Sequence, residues 1–417
     1  MNTKAPSTLL HETVVDVHGL ASMTLAVNWS DGRARHEDQL HVEKFSIWRE
    51  ADLLPAGIGT RIPGMQAGDE AQVILQAGEL TPPWKNCREI VTRPMHFDRN
   101  YRRGLDVRPR LGRFYPQGFL HGVKGIFKEA LQPFRITELS GERLVADLNH
   151  PLAHFDMEVK FHLDEVLPGH DRGGGRCDNP LDNLLQYPGL AAPLPDGQET
   201  DYGDDADGMS RMDERDDALF YRKPRIVEHL DACALKTVND LYRRLIPAQA
   251  VVLDLMASFD SHLQAVPFSK LHVLGMNQEE LSTNPAANDR MVQDLNESPT
   301  LPFDTDSLDA VLCTASVEYL TRPREILSET LRVLRPGGVM ALTFSNRWFP
   351  TKAIHIWSEL HEFERLGMVT QWMQQAGFSG LHTFSSRGWP RPTDDRHAGT
   401  TPFSDPVYAV WGFKTEA

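Results

Sequence analysis

At 417 residues the chain has room for two or three domains, and 41 % hydrophobic against 24 % charged residues is the balance of an ordinary folded protein, not of a disordered or fibrous one. A formal net charge of −15 argues against a general affinity for nucleic acid or anionic membrane. No apolar run approaches membrane-spanning length, residues 1–10 lack the basic stretch and apolar core of a secretory signal, and Cys87, Cys177, Cys233 and Cys313 form no metal-spaced pair, so a cytoplasmic protein with reduced thiols is expected.

Residues 12–166 hold short alternating stretches between Gly, Pro and charged turns, as at 24–29 (TLAVNW), 71–75 (AQVIL), 134–137 (FRIT) and 157–161 (MEVKF). Such alternation predicts a mainly antiparallel β domain with few helices. Arg99, Arg102, Arg103, Arg108, Arg110 and Arg113 crowd one segment, which reads as a solvated loop face.

Residues 141–163 (GERLVADLNHPLAHFDMEVKFHL) and 54–73 (LPAGIGTRIPGMQAGDEAQV) resemble FKBP-type peptidyl-prolyl isomerases of the SlyD-like group, with Asp147, Asn149, His150, Pro151, Leu152 and Ala153 on that family's pattern. The resemblance covers about residues 20–166 and implies an FKBP-like α+β domain, with a polypeptide partner at residues 81–140. It also implies an apolar pocket, with Ile58 and Leu152 in its lining, that desolvates an X-Pro bond. Val27 and Val159 stand where the family has pocket aromatics, and His154 replaces its glycine, so a binding domain is expected ahead of an isomerase.

Residues 167–219 read as a linker. Arg172-Gly173-Gly174-Gly175-Arg176 is glycine-rich, and residues 201–217 set eight acidic residues against Arg211 and Arg215. A self-repelling, apolar-poor segment does not recover its ordering entropy by burial, and nothing fixes its acids in a metal-binding geometry.

From residue 220 to 417 the pattern becomes α/β. Ile226, Leu230, Ala234, Val238, Leu241 and Leu245 predict an amphipathic helix ahead of Pro247. Residues 251–255, 271–274, 310–314 and 339–344 read as strands buried on both faces. Between the last two, Pro323 opens a helix with Ile326, Thr330, Leu331 and Leu334 at helical spacing, and Pro336-Gly337-Gly338 ends it. This strand–helix–strand unit is one crossover of a parallel sheet. Residues 357–376 carry helical pattern, and 408–413 a closing strand.

Leu301-Pro302-Phe303, Ser307-Leu308-Asp309-Ala310-Val311, Tyr319-Leu320 and the run from Glu329 to Gly338 together resemble the second half of class I S-adenosylmethionine (SAM) dependent methyltransferase domains. The resemblance covers about residues 220–415 and implies a Rossmann-like α/β fold with SAM as cofactor. It places the donor loop after Asp254, where the family's glycines let the backbone approach the ligand. Here the loop reads Leu255-Met256-Ala257-Ser258-Phe259-Asp260-Ser261-His262-Leu263, without glycine. Two readings stay open: a modified working loop, in which Ala257, Ser258 and Ser261 offer small side chains and hydroxyls, or a decayed site.

Further donor contacts implied by the resemblance are Asn277 on the ribose hydroxyls, Asp294 and Leu295 beside adenine, and Cys313 under the donor; Arg225 suits the methionine carboxylate. His262 and Tyr319 are the candidate catalytic residues, with Glu318, Asn346, Arg347 and Lys352 nearby in sequence. Trp348, Phe349, Trp357, Trp372 and Trp389 could wall an acceptor cavity, the acceptor being a small molecule or a protein. Three functions follow: SAM-dependent methyl transfer, a non-catalytic protein-binding or chaperone-like module, and prolyl isomerisation.

Overall fold

The computed structural model describes residues 14–102, 106–170 and 179–416. Arg103, Cys177 and the glycine-rich run 172–176 lie outside the described residues.

The N-terminal region begins with β1 (Gly19–Ser30), β2 (Ala34–Ser46) and β3 (Glu70–Leu75). A separate four-stranded antiparallel sheet follows, built from β4 (Glu89–Thr92), β5 (Phe114–Pro116), β6 (Pro133–Leu139) and β7 (Leu144–Asp147) in the order β4-β7-β6-β5. β8 (Met157–His170) returns to pair antiparallel with both β1 and β3. The alternation read from the sequence is what this half-buried antiparallel arrangement requires, as the buried Ala21, Met23, Leu25 and Val27 of β1 show.

The C-terminal region contributes β9 (Val251–Leu255), β10 (Lys270–Gly275), β11 (Asp289–Val292), β12 (Leu308–Thr314) and β13 (Leu334–Phe344), all parallel to one another. β14 (Ser379–Arg387) and β15 (Val407–Phe413) complete it, with β15 antiparallel between β13 and β14. The order β11-β10-β9-β12-β13-β15-β14 is an open, doubly wound sheet. The helices Ala232–Leu245, Pro323–Val333 and Glu362–Ala376 pack on it. The first starts at Ala232, not Ile226. Asp231 accepts from the backbone N–H of Cys233 and Ala234 and so fixes the cap, leaving Ile226 49 % exposed in the preceding segment.

The two regions do not meet at a linker. β14 pairs in parallel with β2, from Leu381 opposite Ala34 to Arg387 opposite Leu40, making one eleven-stranded sheet. Buried polar groups cross this seam: His36 Nδ1 lies 2.7 Å from Thr383 Oγ1, and Asp38 accepts from Ser385 Oγ at 2.6 Å and Trp29 Nε1 at 3.0 Å. Burial pushes the Asp38 carboxyl above its ordinary range although both donors hold it down. Asp38→Ala strands those two donors, so a loss of about 1–3 kcal/mol is expected, read as a lower thermal midpoint. An unchanged midpoint would mean that this carboxyl does not hold the seam.

The acidic stretch 201–217 also departs from expectation. It is packed, because its charges find partners far away in sequence. Asp204 pairs with Arg324 and accepts from Trp372 Nε1 at 2.6 Å, while Tyr202 is 1 % exposed against the Glu362–Ala376 helix. Lys352 Nζ, fully buried, lies 2.9 Å from Asp217 and donates to the carbonyls of Asp213 and Arg215. Arg113, expected on a solvated loop face, is 2 % exposed and bonded to Glu364 at 3.2 Å. No helix among the described residues is long and apolar enough to cross a membrane.

Candidate active site

The chain runs outward from β9 to β10 and β11, then crosses back to β12 on the other side of β9. Loops leaving β9 and β12 therefore diverge, and open parallel sheets form a crevice at such a point. A cavity of about 290 Å³ lies there, lined by the ends of β9 and β12, the loops after β10 and β13, and residues 221–230. Its size is near the lower end of small-molecule sites, ~300–1,000 Å³.

The turn after β9 is made without glycine. Met256 adopts φ 55° and Ala315, just after β12, φ 47°, both left-handed conformations that cost energy for residues with a Cβ. Ala257 N–H donates to Leu274 O at 2.8 Å, which ties the loop to β10. The close backbone approach is made from the other side: a Cβ on Gly275 would sit 2.2 Å from Ala257 O. Thus the glycine that lets loop and neighbouring strand meet lies on β10. Met256 and Phe259 line the cavity and leave it open.

Of the residues expected from the sequence, Asp254, Ala257, Ser258, His262, Asn277, Tyr319 and Arg225 line this cavity. Ser261, Asp294, Leu295 and Cys313 do not. Ser261 Oγ turns inward to accept from Asn284 Nδ2 at 2.9 Å, and Asp294 Oδ1 caps the turn at Asn296. Leu295 and Cys313 belong to the hydrophobic core. Asn277 reaches the cavity, but its amide caps the Gln278–Thr283 helix and donates to Tyr221 O and Arg222 O. No amide hydrogen or oxygen is left idle for a ribose. Trp348 and Phe349 line the wall, Trp357 and Trp372 are core, and Trp389 stacks on His41 with ring centroids 3.9 Å apart.

Glu280 and Asp260 are among the cavity residues that the sequence reading did not single out. Glu280, 8 % exposed, accepts from Ser258 Oγ and Arg225 N–H, both at 2.7 Å. It follows Asn277 by three residues, so helical spacing could have pointed to it. Asp260 supports His262, accepting its backbone N–H at 2.8 Å and placing a carboxylate oxygen 3.9 Å from Nδ1.

Arg225 stacks against Phe220, Phe349 and Tyr221, with 4.4, 5.3 and 5.8 Å from guanidinium carbon to ring centre. Its Nη1 is buried with no hydrogen-bond partner among the described residues. Burial pushes Asp254 up to about 7, with Ser261 opposing and nearby Asp260 adding to the rise. Burial likewise lifts Glu318 to about 7; both its oxygens lack partners. Burial, and then Glu318, drives the Tyr319 hydroxyl upward, while His262 is pushed down by burial against the pull of Asp260. At neutral pH Tyr319 is a phenol and His262 a neutral imidazole. Lys352 is an anchor for residues 213–217 and not a proton carrier facing the cavity.

Residues 261–342 match the family model of the methyltransferase domain, beginning just beyond the glycine-free turn. The chain is 34 % identical over 116 residues to a demethylmenaquinone methyltransferase of Clavibacter sepedonicus, covering 25 % of this chain and 47 % of that protein. It is 34 % identical over 76 residues to the ubiquinone/menaquinone biosynthesis C-methyltransferase UbiE of Roseobacter denitrificans, covering 18 % and 30 %. The chain thus spans less than half the length of these curated relatives. A SAM-dependent methyltransferase structure from Archaeoglobus fulgidus aligns at 14 % identity and TM-score 0.32, covering 43 % of this chain and 94 % of that one. The family match at residues 261–342 thus falls within a doubly wound sheet with a crevice at its switch point, and in these features the C-terminal part is similar to a methyltransferase domain.

Proposed function

We propose that the cavity between the β9 and β12 loops binds SAM and that the protein transfers its methyl group to an acceptor entering from the β13 side. The observation that carries this reading is the open cavity with Arg225 Nη1 buried in its wall and without a hydrogen-bond partner among the described residues. SAM supplies an electrophilic methyl on a sulfonium. Arg225 would hold the donor's carboxylate, and the Glu280–Ser258 pair would take its hydroxyls in place of Asn277. Alignment in a closed site supplies most of the catalysis such a transfer needs. Tyr319, protonated and accepting from Phe349 N–H at 2.9 Å, orders the wall. Of the two candidate catalytic residues, only His262 is in a state to take up a proton.

A second groove, of about 980 Å³, shares Arg347 with the cavity and runs between β2 residues 40–44 and the segment 401–406. It offers an acceptor route that needs both halves of the chain. A small aromatic acceptor, like the quinone precursors in the relatives' names, fits the Trp348 and Phe349 wall.

In this reading the FKBP-like region positions or recruits the acceptor and is not an isomerase. The support is that Val27, Ile58, Leu152 and Val159 are all fully buried in one core, leaving no apolar mouth at those positions. Calorimetry of the full chain with SAM tests the proposal. Saturable binding is expected, weakened about 10- to 100-fold by Arg225→Gln through loss of a charge-assisted bond. Absence of binding to the full chain would end it.

A further inference from the structure

We propose that Glu228, Asp260 and His262 form a binding site for one divalent transition-metal ion at the mouth of the cavity. One ligand atom from each residue lies within 4.8 Å of the other two. Metal–nitrogen and metal–oxygen bonds of about 2.0–2.2 Å place two ligands on one ion at most ~4.4 Å apart. Three ligands at tetrahedral angles sit about 3.3–3.6 Å apart, so the cluster closes on an ion with a shift of up to roughly 1.5 Å. Glu228 supplies that shift, because it is exposed on the segment before the Asp231 cap and makes no ion pair or hydrogen bond among the described residues.

His262 points to a ligand independently of the two acids. Its side chain is only 13 % exposed and lines the cavity, yet its ring makes no hydrogen bond among the described residues. Its closest charged neighbour, Asp260, stays 3.9 Å from Nδ1, too long for a hydrogen bond and compatible with a shared ion.

One imidazole with two carboxylates suits Zn²⁺, Mn²⁺ or Fe²⁺ better than Ca²⁺. Three protein ligands leave coordination positions open, and the cavity is where they face. An acceptor with a deprotonable oxygen would bind there, and His262 would then serve as ligand and not as base. That last role rests on the methyl-transfer reading; the ion site does not.

The test uses the full chain stripped with chelator and titrated calorimetrically with Mn²⁺ and with Zn²⁺, in the absence of SAM. One saturable ion per chain is expected for at least one metal, weakened at least ~10-fold by Glu228→Gln and again by Asp260→Asn. Glu228 is exposed, so Glu228→Gln keeps the fold, checked by an unchanged thermal midpoint. No saturable binding of either ion, or equal affinity in wild type and Glu228→Gln, would overturn the site. SAM titration of the same samples separates failure of the ion site from failure of the donor site.

Discussion

Replacing Lys352 with Met is expected to destabilise the protein by about 3–5 kcal/mol and to weaken SAM binding with it. The ammonium is fully buried beside Asp217, itself 6 % exposed. Losing it leaves a carboxylate in low dielectric with Arg211, at 2.7 Å, and Asn296 as remaining partners. Those partners place the loss toward the lower end of the range. The carbonyls of Asp213 and Arg215 lose their donor at the same time. Residues 221–230 continue from this anchored segment into the cavity wall, so its release unseats Arg225. A thermal and urea denaturation series, paired with SAM calorimetry, reads both effects. A loss below about 1 kcal/mol would show that the anchor is dispensable.

Asp254→Asn is expected to stabilise the protein at pH 8 by about 4 kcal/mol and to leave it unchanged at pH 3. The sign follows from the direction of the shift. In the unfolded chain this carboxyl ionises near 3.8, whereas burial raises it to about 7 in the folded protein. Between these values the folded form holds the extra proton, so stability falls as pH rises from about 4 to about 7 and stays low above. The amide cannot ionise, so the variant loses that part of the slope. Glu318, also near 7, retains its own part until Glu318→Gln removes it. Melting curves between pH 5 and pH 8 decide the matter: equal slopes in wild type and Asp254→Asn would mean that Asp254 stays charged throughout.

The parallel sheet was legible because strands covered on both faces are largely apolar, as residues 251–253, 310–313 and 339–342 are. Pro323 opens the crossover helix for a local reason that needs no tertiary knowledge, whereas the helix ends at Val333, and Pro336-Gly337-Gly338, expected to end it, lies within β13. The start at Ile226 was misread since apolar spacing carried past Asp231, and the cap overrode it. The acidic stretch was misread for another reason. Its partners Arg324, Lys352 and Trp372 lie more than a hundred residues downstream, and composition alone is blind to them. The cavity was located by the rule that ligands sit beyond strand ends, while Glu280 and Asp260 surfaced only once side-chain directions were known. The seam between β2 and β14 leaves no local trace, because each strand alone reads as an ordinary amphipathic one.

That seam has a consequence during biosynthesis. His36 meets Thr383, 347 positions further along the chain. At a translation speed of about 5–20 residues per second, the ribosome needs roughly 17–70 s to deliver the later strand after the earlier one. For that interval the nascent β2 offers bare backbone donors and acceptors to any passing extended chain. Slowing elongation in the second half of the message should therefore lower the soluble yield, and co-expressed holdase chaperones should restore it.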